Sequence, residues 1–159
     1  MKHTISVLVE NKFGVLARVA GLFSGRGFNI TSLSVGETSD PEISHMTIVV
    51  DDQGSPQIME QVEKQLNKLV NIIKVQDFSS GESVNRELIL VKVKTTTTTR
   101  LEILEIARIF RARVVDLSRN SVVLEITGAE DKIKAILELL SRFGIKELVR
   151  AGKIAIARS

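Results

Sequence analysis

The chain has no cysteine, tryptophan or tyrosine, and its six aromatic residues are all phenylalanine. Without cysteine there is no disulfide, no thiolate metal site and no thiol chemistry. With so few rings, the core must be built from aliphatic side chains. No apolar run approaches the roughly 18 residues needed to span a bilayer. The opening stretch MKHTISVLVENKFG lacks the apolar run of a signal peptide, and it is not the Arg-rich, acid-free stretch of a transit peptide. The expectation is a soluble, cytoplasmic protein. There are two histidines, His3 and His45, far apart in sequence and without metal-ligand spacing. They read as ordinary strand or sheet-edge residues, and Asp51-Asp52 reads as a solvated turn.

What is present suits one mid-sized domain or two small ones: 159 residues, 43% of them hydrophobic. Charge is uneven. Residues 1–77 hold 7 Lys and Arg against 9 Asp and Glu, and residues 78–159 hold 15 against 10. A basic second half raises the question of nucleic acid, but its charges are mixed in sign and spread over every element, as on a solvated surface. We expect no nucleic-acid partner and no membrane partner.

The hydrophobic period switches along the chain. ISVLVE alternates Ile5, Val7 and Val9, a half-buried strand. Val15, Leu16, Val19, Leu22 and Phe23 then form one helical face, closed by Gly25 and Gly27. FNITSLSV and ISHMTIVVDD are strands around an ETSDPE turn. Ser55 and Pro56 open a second helix as N-cap and first position, with a stripe of Met59, Val62, Leu66 and Leu69. VNIIKVQDF is a fourth strand. After the polar SSGES stretch the order repeats. ELILVKVK is a strand. Thr99 and Glu102 are spaced as a capping box before a helix. RVVDLS and NSVVLEIT form a hairpin around Arg119-Asn120. Thr127 and Glu130 offer a second capping box, Ile133, Ile136, Leu137 and Leu140 stripe the last helix, and IKELVRAGKIAIARS holds one or two strands. The expected fold is α+β: two ferredoxin-like (βαββαβ) domains in tandem, residues 1–78 and 84–159 joined by a linker at 79–83. No sequence identity between the halves proves a duplication.

One stretch calls for a chemical explanation. VENKFGVLARVAGLFSGRGFNITSL places Asn11 before the first helix, Gly14 at its start and Asn29 after it. The first N–H groups of a helix lack internal partners and carry partial positive charge, which attracts carboxylates. Gly14 removes the side chain that would block approach, and an amide both donates and accepts. That combination suits a zwitterion. A turn asparagine and a permissive glycine would look the same, and both readings stand at this point. The GRG triplet is not a dinucleotide loop, because it follows a helix and opens a strand. The sequence has no G-x-S-x-G nucleophile motif, and the sheet strands SHMTIVV and SVVLEIT carry no ring for stacking RNA bases. Thr95–Thr99 reads as a loop ending in a cap, with phosphate binding as the alternative.

ISVLVENKFGVLARVAGLFSGRGFNITSLSVGETSDPEISHMTIVV closely resembles the N-terminal ACT domain of the regulatory (small) subunit of acetohydroxyacid synthase, also called acetolactate synthase. The resemblance includes N-x-x-G-x-L-x-R at Asn11–Arg18 and L-F-x-x-R-G-F-N-I-x-S-L at Leu22–Leu33. It extends through VEKQLNKLV and RELILVK. It is strong to residue 92 and weaker beyond, and the poly-Thr stretch is no family feature. The resemblance implies a non-catalytic subunit that activates a catalytic partner and confers valine feedback inhibition in branched-chain amino-acid biosynthesis. The partner would carry thiamine diphosphate, Mg and FAD, and this chain would carry no cofactor and no metal. A homodimer through the ACT domains is implied, with Asn11 and Gly14 of one chain and Asn29 and Ile30 of the other around valine, and Leu16 or Val35 against its side chain. A free-standing ACT sensor for another enzyme or for transcription is the alternative function. An acylphosphatase would need an Arg in the loop ENKFG, which has none.

Overall fold

Strict alternation builds the first sheet. A computed structural model describes residues 1–55 and 57–159. In β1 (Lys2–Glu10), Ile5, Val7 and Val9 all point to one side and are buried. Met46, Ile48 and Val50 of β3 (Ile43–Asp51) share that side, Val7 facing Met46 and Ile5 facing Ile48. With β2 (Asn29–Glu37) and β4 (Ile72–Asp77), the antiparallel order is β2-β3-β1-β4, so β2 and β4 are the edges. Helices α1 (Val15–Gly25) and α2 (Ile58–Asn67) cover the apolar side with Val15, Val19, Phe23, Val62 and Leu66. Leu22, Met59 and Leu69 pack at the margin, whereas Leu16, expected in the stripe, is 44% exposed.

The second sheet follows the same plan. β5 (Ser83–Lys94), β6 (Arg113–Leu117), β7 (Ser121–Gly128) and β8 (Ile145–Arg150) run in the order β6-β7-β5-β8, under α3 (Arg100–Ile109) and α4 (Glu130–Ser141). Its core is its own, centred on Ile89, Val91, Leu124, Ile103, Ile136 and Leu140. β9 (Ile154–Ala157) pairs with β5. By contacts the chain divides into Met1–Asn85 with Lys153–Ser159, and Arg86–Gly152. The last seven residues therefore group with the first unit, not with the residues that precede them in sequence.

Backbone landmarks show an internal repeat that side chains hide. α1 ends in a Schellman motif: Phe28 N–H donates to Phe23 O at 3.1 Å, Gly27 N–H to Ser24 O at 3.2 Å, and Gly27 has φ +74°. α3 ends identically, with Ala112 N–H to Ala107 O at 2.8 Å, Arg111 N–H to Arg108 O at 3.2 Å, and Arg111 at φ +56°. Each residue of the second set stands 84 positions after its counterpart. The bulges repeat at the same spacing: Leu8/Val9 with Lys92/Val93, and Ile30/Ser32 with Val114/Asp116. The left-handed conformation that Gly27 adopts freely costs a side-chain-bearing residue roughly 1–2 kcal/mol. Arg111→Gly should therefore raise stability by about 1 kcal/mol, seen as a higher midpoint in thermal unfolding.

Helix starts differ from expectation. Gln57 occupies the cap position of α2 without a side-chain bond, so Ser55 does not cap it; instead the Ser55 carbonyl accepts from Ile58 N–H at 3.2 Å. Pro56, expected at the first helical position, lies outside the described residues. Thr99 and Glu102 form no box. The reciprocal cap sits three residues earlier: Thr96 N–H donates to Thr99 Oγ1 at 2.9 Å and Thr99 N–H to Thr96 Oγ1 at 3.2 Å. A threonine hydroxyl accepts as a Glu would, so the poly-Thr run supplies both halves. Glu102 instead pairs with Arg142. Thr127 lies inside β7, and Ala129 holds the α4 cap position, so the second box is not formed either.

Candidate functional site

The loop between β1 and α1 is held by its backbone and by one amide. Asn11 N–H donates to Glu42 O at 2.7 Å, tying the loop to the β2–β3 hairpin. The Asn11 side chain then spends both amide hydrogens on that hairpin: Nδ2 donates to Pro41 O at 2.9 Å and to Glu37 Oε1 at 3.2 Å. This fixes the rotation of the amide and leaves Oδ1 as an exposed acceptor. Gly14 sits at the cap position of α1 with φ +82° and ψ −7°, and an added Cβ would meet nothing within 4 Å. The first helical bond runs from Arg18 N–H to Gly14 O at 3.1 Å. Val15 N–H reaches Lys12 O at 3.3 Å, but no acceptor among the described residues takes the N–H of Leu16 or Ala17. α1 has no side-chain cap and no acid in its first turn, whereas the first turns of α2, α3 and α4 carry Glu60, Glu102, and Glu130 with Asp131. The positive end of the α1 dipole is therefore left uncompensated.

The other named residues lie on the edge strand. Val35 faces Met46 on the helix-bearing side and is 43% exposed, beside the similarly open Leu33. Glu37, the last residue of β2, touches Asn11. Asn29, the first, faces Asp51 and is exposed, and Ile30 faces Val50 and packs against the core. Eight residue steps at about 3.3 Å separate the ends of β2, roughly 26 Å. One chain thus groups Asn11, Gly14, Leu16 and Val35, and holds Asn29 and Ile30 at the far end of the strand.

Sequence reasoning missed the partners of the histidines, because these contacts join distant segments. Neither histidine is a free surface residue. His3 is buried, with Nε2 2.8 Å from Asp52 Oδ2 and Nδ1 2.9 Å from Ser79 Oγ. Asp52, expected in a solvated turn, is buried too, and accepts from the Met1 ammonium at 2.6 Å and from Gly54 N–H at 2.9 Å. The line-up of Ser79, His3 and Asp52 is not a nucleophile, since Ser79 Oγ donates to Asp77 and its proton is not shared with the imidazole. It fastens the start of β1 to the ends of β3 and β4. The Met1 ammonium, then His3, then the Gly54 N–H hold the Asp52 carboxyl well below the usual carboxylate range. A carboxylate depressed in the folded state contributes stability above its unfolded pKa of about 4 and loses it as pH falls further. The melting midpoint of the first unit should therefore fall as pH drops below about 4, and Asp52→Asn should flatten that part of the profile, as melts from pH 7 to 3 would show. His45 Nε2 lies 2.7 Å from Ser6 Oγ, and burial pushes its pKa down. Among the described residues no group of three or more His, Asp or Glu could hold a metal, and no helix is long and apolar enough to cross a membrane.

The order β2-β3-β1-β4 under two helices is the ferredoxin-like βαββαβ plan, and a family model for the ACT domain of acetohydroxyacid synthase small subunits matches residues 5–74, which makes this unit an ACT domain. A second, described as the small subunit of acetolactate synthase, matches residues 86–159. The chain belongs to the acetolactate synthase small-subunit family. It is 56% identical over 158 residues to a probable acetolactate synthase small subunit of Archaeoglobus fulgidus, covering 99% of this chain and 98% of that one. It is 51% identical over 156 residues to the acetolactate synthase small subunit of Mycolicibacterium smegmatis, covering 98% and 91%. The crystal structure of the Thermotoga maritima small subunit superposes with a TM-score of 0.87 at 40% identity, over 100% of this chain and 98% of that one.

Proposed function

We propose that the chain is a regulatory subunit without catalysis of its own, which activates an acetolactate synthase catalytic subunit and makes it sensitive to valine. The carboxylate of valine takes the free N–H groups at the start of α1, over Gly14. Its ammonium takes Asn11 Oδ1, the acceptor left when the amide hydrogens are spent, with the Glu37 carboxylate beside it. Leu16 and Val35 flank its aliphatic side chain.

The observation that carries this reading is the separation of the site residues along β2. Two copies of an edge strand pair antiparallel about a two-fold axis. If that axis passes Leu33, midway between Asn29 and Glu37, the partner's Asn29 and Ile30 lie beside this chain's Glu37, and hence beside Asn11 and Gly14. Four residues split about 26 Å apart in one chain are reunited twice in the homodimer. Ligand binding and dimer geometry are then linked, and valine shifts activity only by favouring one assembly state, typically by about 1–3 kcal/mol.

Reconstitution with the catalytic subunit tests the proposal. Added chain should raise acetolactate formation, and valine should then reverse the gain. An added chain that neither raises activity nor confers valine sensitivity would sink the reading.

A further inference from the structure

The C-terminal strand returns to the sheet that carries the proposed effector site, on the face away from the helices. Ser32 and Thr47 belong to that face, since their strand neighbours Leu33, Met46 and Ile48 point to the helices. Lys153 N–H donates to Ser32 Oγ at 2.8 Å, and Ala155 N–H to Thr47 Oγ1 at 3.3 Å. Arg158 N–H donates to Glu82 O at 3.2 Å. Thr47 and Ala155 are 0% and 5% exposed. The tail KIAIA turns its small residue inward and leaves Ile154 and Ile156 outward, the reverse of a core strand, so its backbone lies close to the sheet. β9 also pairs with β5, but a segment lying across a sheet face cannot join that sheet's own ladder, so the N–H groups of Lys153 and Ala155 that point to it need side-chain acceptors. Ser32 and Thr47 supply them.

Two further facts place these hydroxyls on a route. Ser32 follows the bulge in β2, where the register against β3 shifts between Ile30 and Ser32. It stands two and three residues from Ile30 and Asn29. A bulge leaves one residue without a partner opposite, and a strand changes its local twist there at little cost. At the other end of the bond, Lys153 is the residue after Gly152, the last of the second unit, at φ +95°.

We propose that Ser32 and Thr47 are positioning residues that couple occupancy of the effector site to docking of the C-terminal strand. This rests on the reading of Asn29 and Ile30 as effector contacts. Valine bound against them fixes the bulge, which fixes the Ser32 hydroxyl, which holds the Lys153 amide. The free energy transmitted is the difference in valine affinity between the strand-docked and strand-released states.

Amide hydrogen exchange of the full chain, resolved by residue with and without valine, tests this beside a calorimetric valine titration. In the wild type, valine should slow exchange at Lys153 and Ala155 by about threefold or more, the scale of one hydrogen bond. The double variant Ser32→Ala, Thr47→Val should bind valine more weakly only by the factor of that coupling, about threefold, yet lose the slowing. Ser32→Thr, which keeps the acceptor, should retain it. Valine binding that leaves exchange at Lys153 and Ala155 unchanged overturns the coupling and leaves the site standing. Absence of saturable valine binding overturns the site, and the coupling with it.

Discussion

Gly14→Asp is expected to abolish valine binding and feedback inhibition while the protein still folds. The two effects differ in size. Folding is nearly spared: Gly14 adopts φ +82° and a Cβ would meet nothing within 4 Å, so the cost is backbone strain of roughly 1–2 kcal/mol. A carboxylate at the start of α1 returns about 0.3–1 kcal/mol through the helix dipole, because α1 carries no acid in its first turn. Binding is not spared. The new carboxylate takes the N–H groups the ligand would use and repels the ligand's own charge, by about 4 kcal/mol for unit charges 4 Å apart at an effective dielectric of 20. Affinity should fall at least about 100-fold, with a melting midpoint within a few degrees of wild type. Calorimetry and thermal unfolding of the same sample check both halves. Valine binding at wild-type strength in this variant would show that the ligand does not sit over Gly14.

Phe23→Ala is expected to have the largest effect on stability. Phe23 is fully buried among Val15, Val19 and the strands, with its ring edge-on to Phe28 at 6.4 Å between centroids. Removing a buried Phe side chain costs about 3–5 kcal/mol, the lost transfer energy plus the cavity left behind. For a unit of this size that is much of the total stability. At roughly 4–8 °C per kcal/mol, the midpoint of the first unit should drop by about 12–40 °C. Ala107 stands 84 residues later, buried in the same place in the second unit, where Ile103, Ile106 and Phe110 fill the core around it. Because each unit has its own core, exchange protection should collapse at Val7 and Ile48 and survive at Val91 and Leu124. Equal loss in both would show that the units unfold as one.

Much of the fold was legible because its signals are local. The alternation of Ile5, Val7 and Val9 and the helical spacing of Val15, Val19 and Phe23 each name an element and its buried side, and two such sets yield two βαββαβ units. The exposure of Leu16 is not legible because it lies at the margin of the stripe, where a one-residue rotation decides exposure. The repeat was invisible because it resides in hydrogen bonds and bulges: Gly27 and Arg111 do the same work with unrelated side chains. The cap at Thr96 is not legible because a hydroxyl, that of Thr99, stands where a capping box usually has Glu. The contacts of the tail are not legible because IAIA reads only as a strand, and the bond from Ala155 to Thr47 joins residues 108 apart. His3 and Asp52 are 49 apart, and nothing local marks their contact. In the candidate site, Asn11 and Gly14 were legible as an open helix start. That Asn29 lies at the opposite end of β2 from Asn11 needs the strand directions, and only then does a site shared by two chains become a geometric expectation.

If the start of α1 receives an amino acid, a calorimetric titration of the purified protein with valine, repeated on Asn11→Ala, will show it. Saturable binding in the wild type, lost or weakened about tenfold or more in the variant, is the result expected when Asn11 Oδ1 receives the ammonium. Valine binding of equal strength in both proteins would show that Asn11 does not receive the ligand.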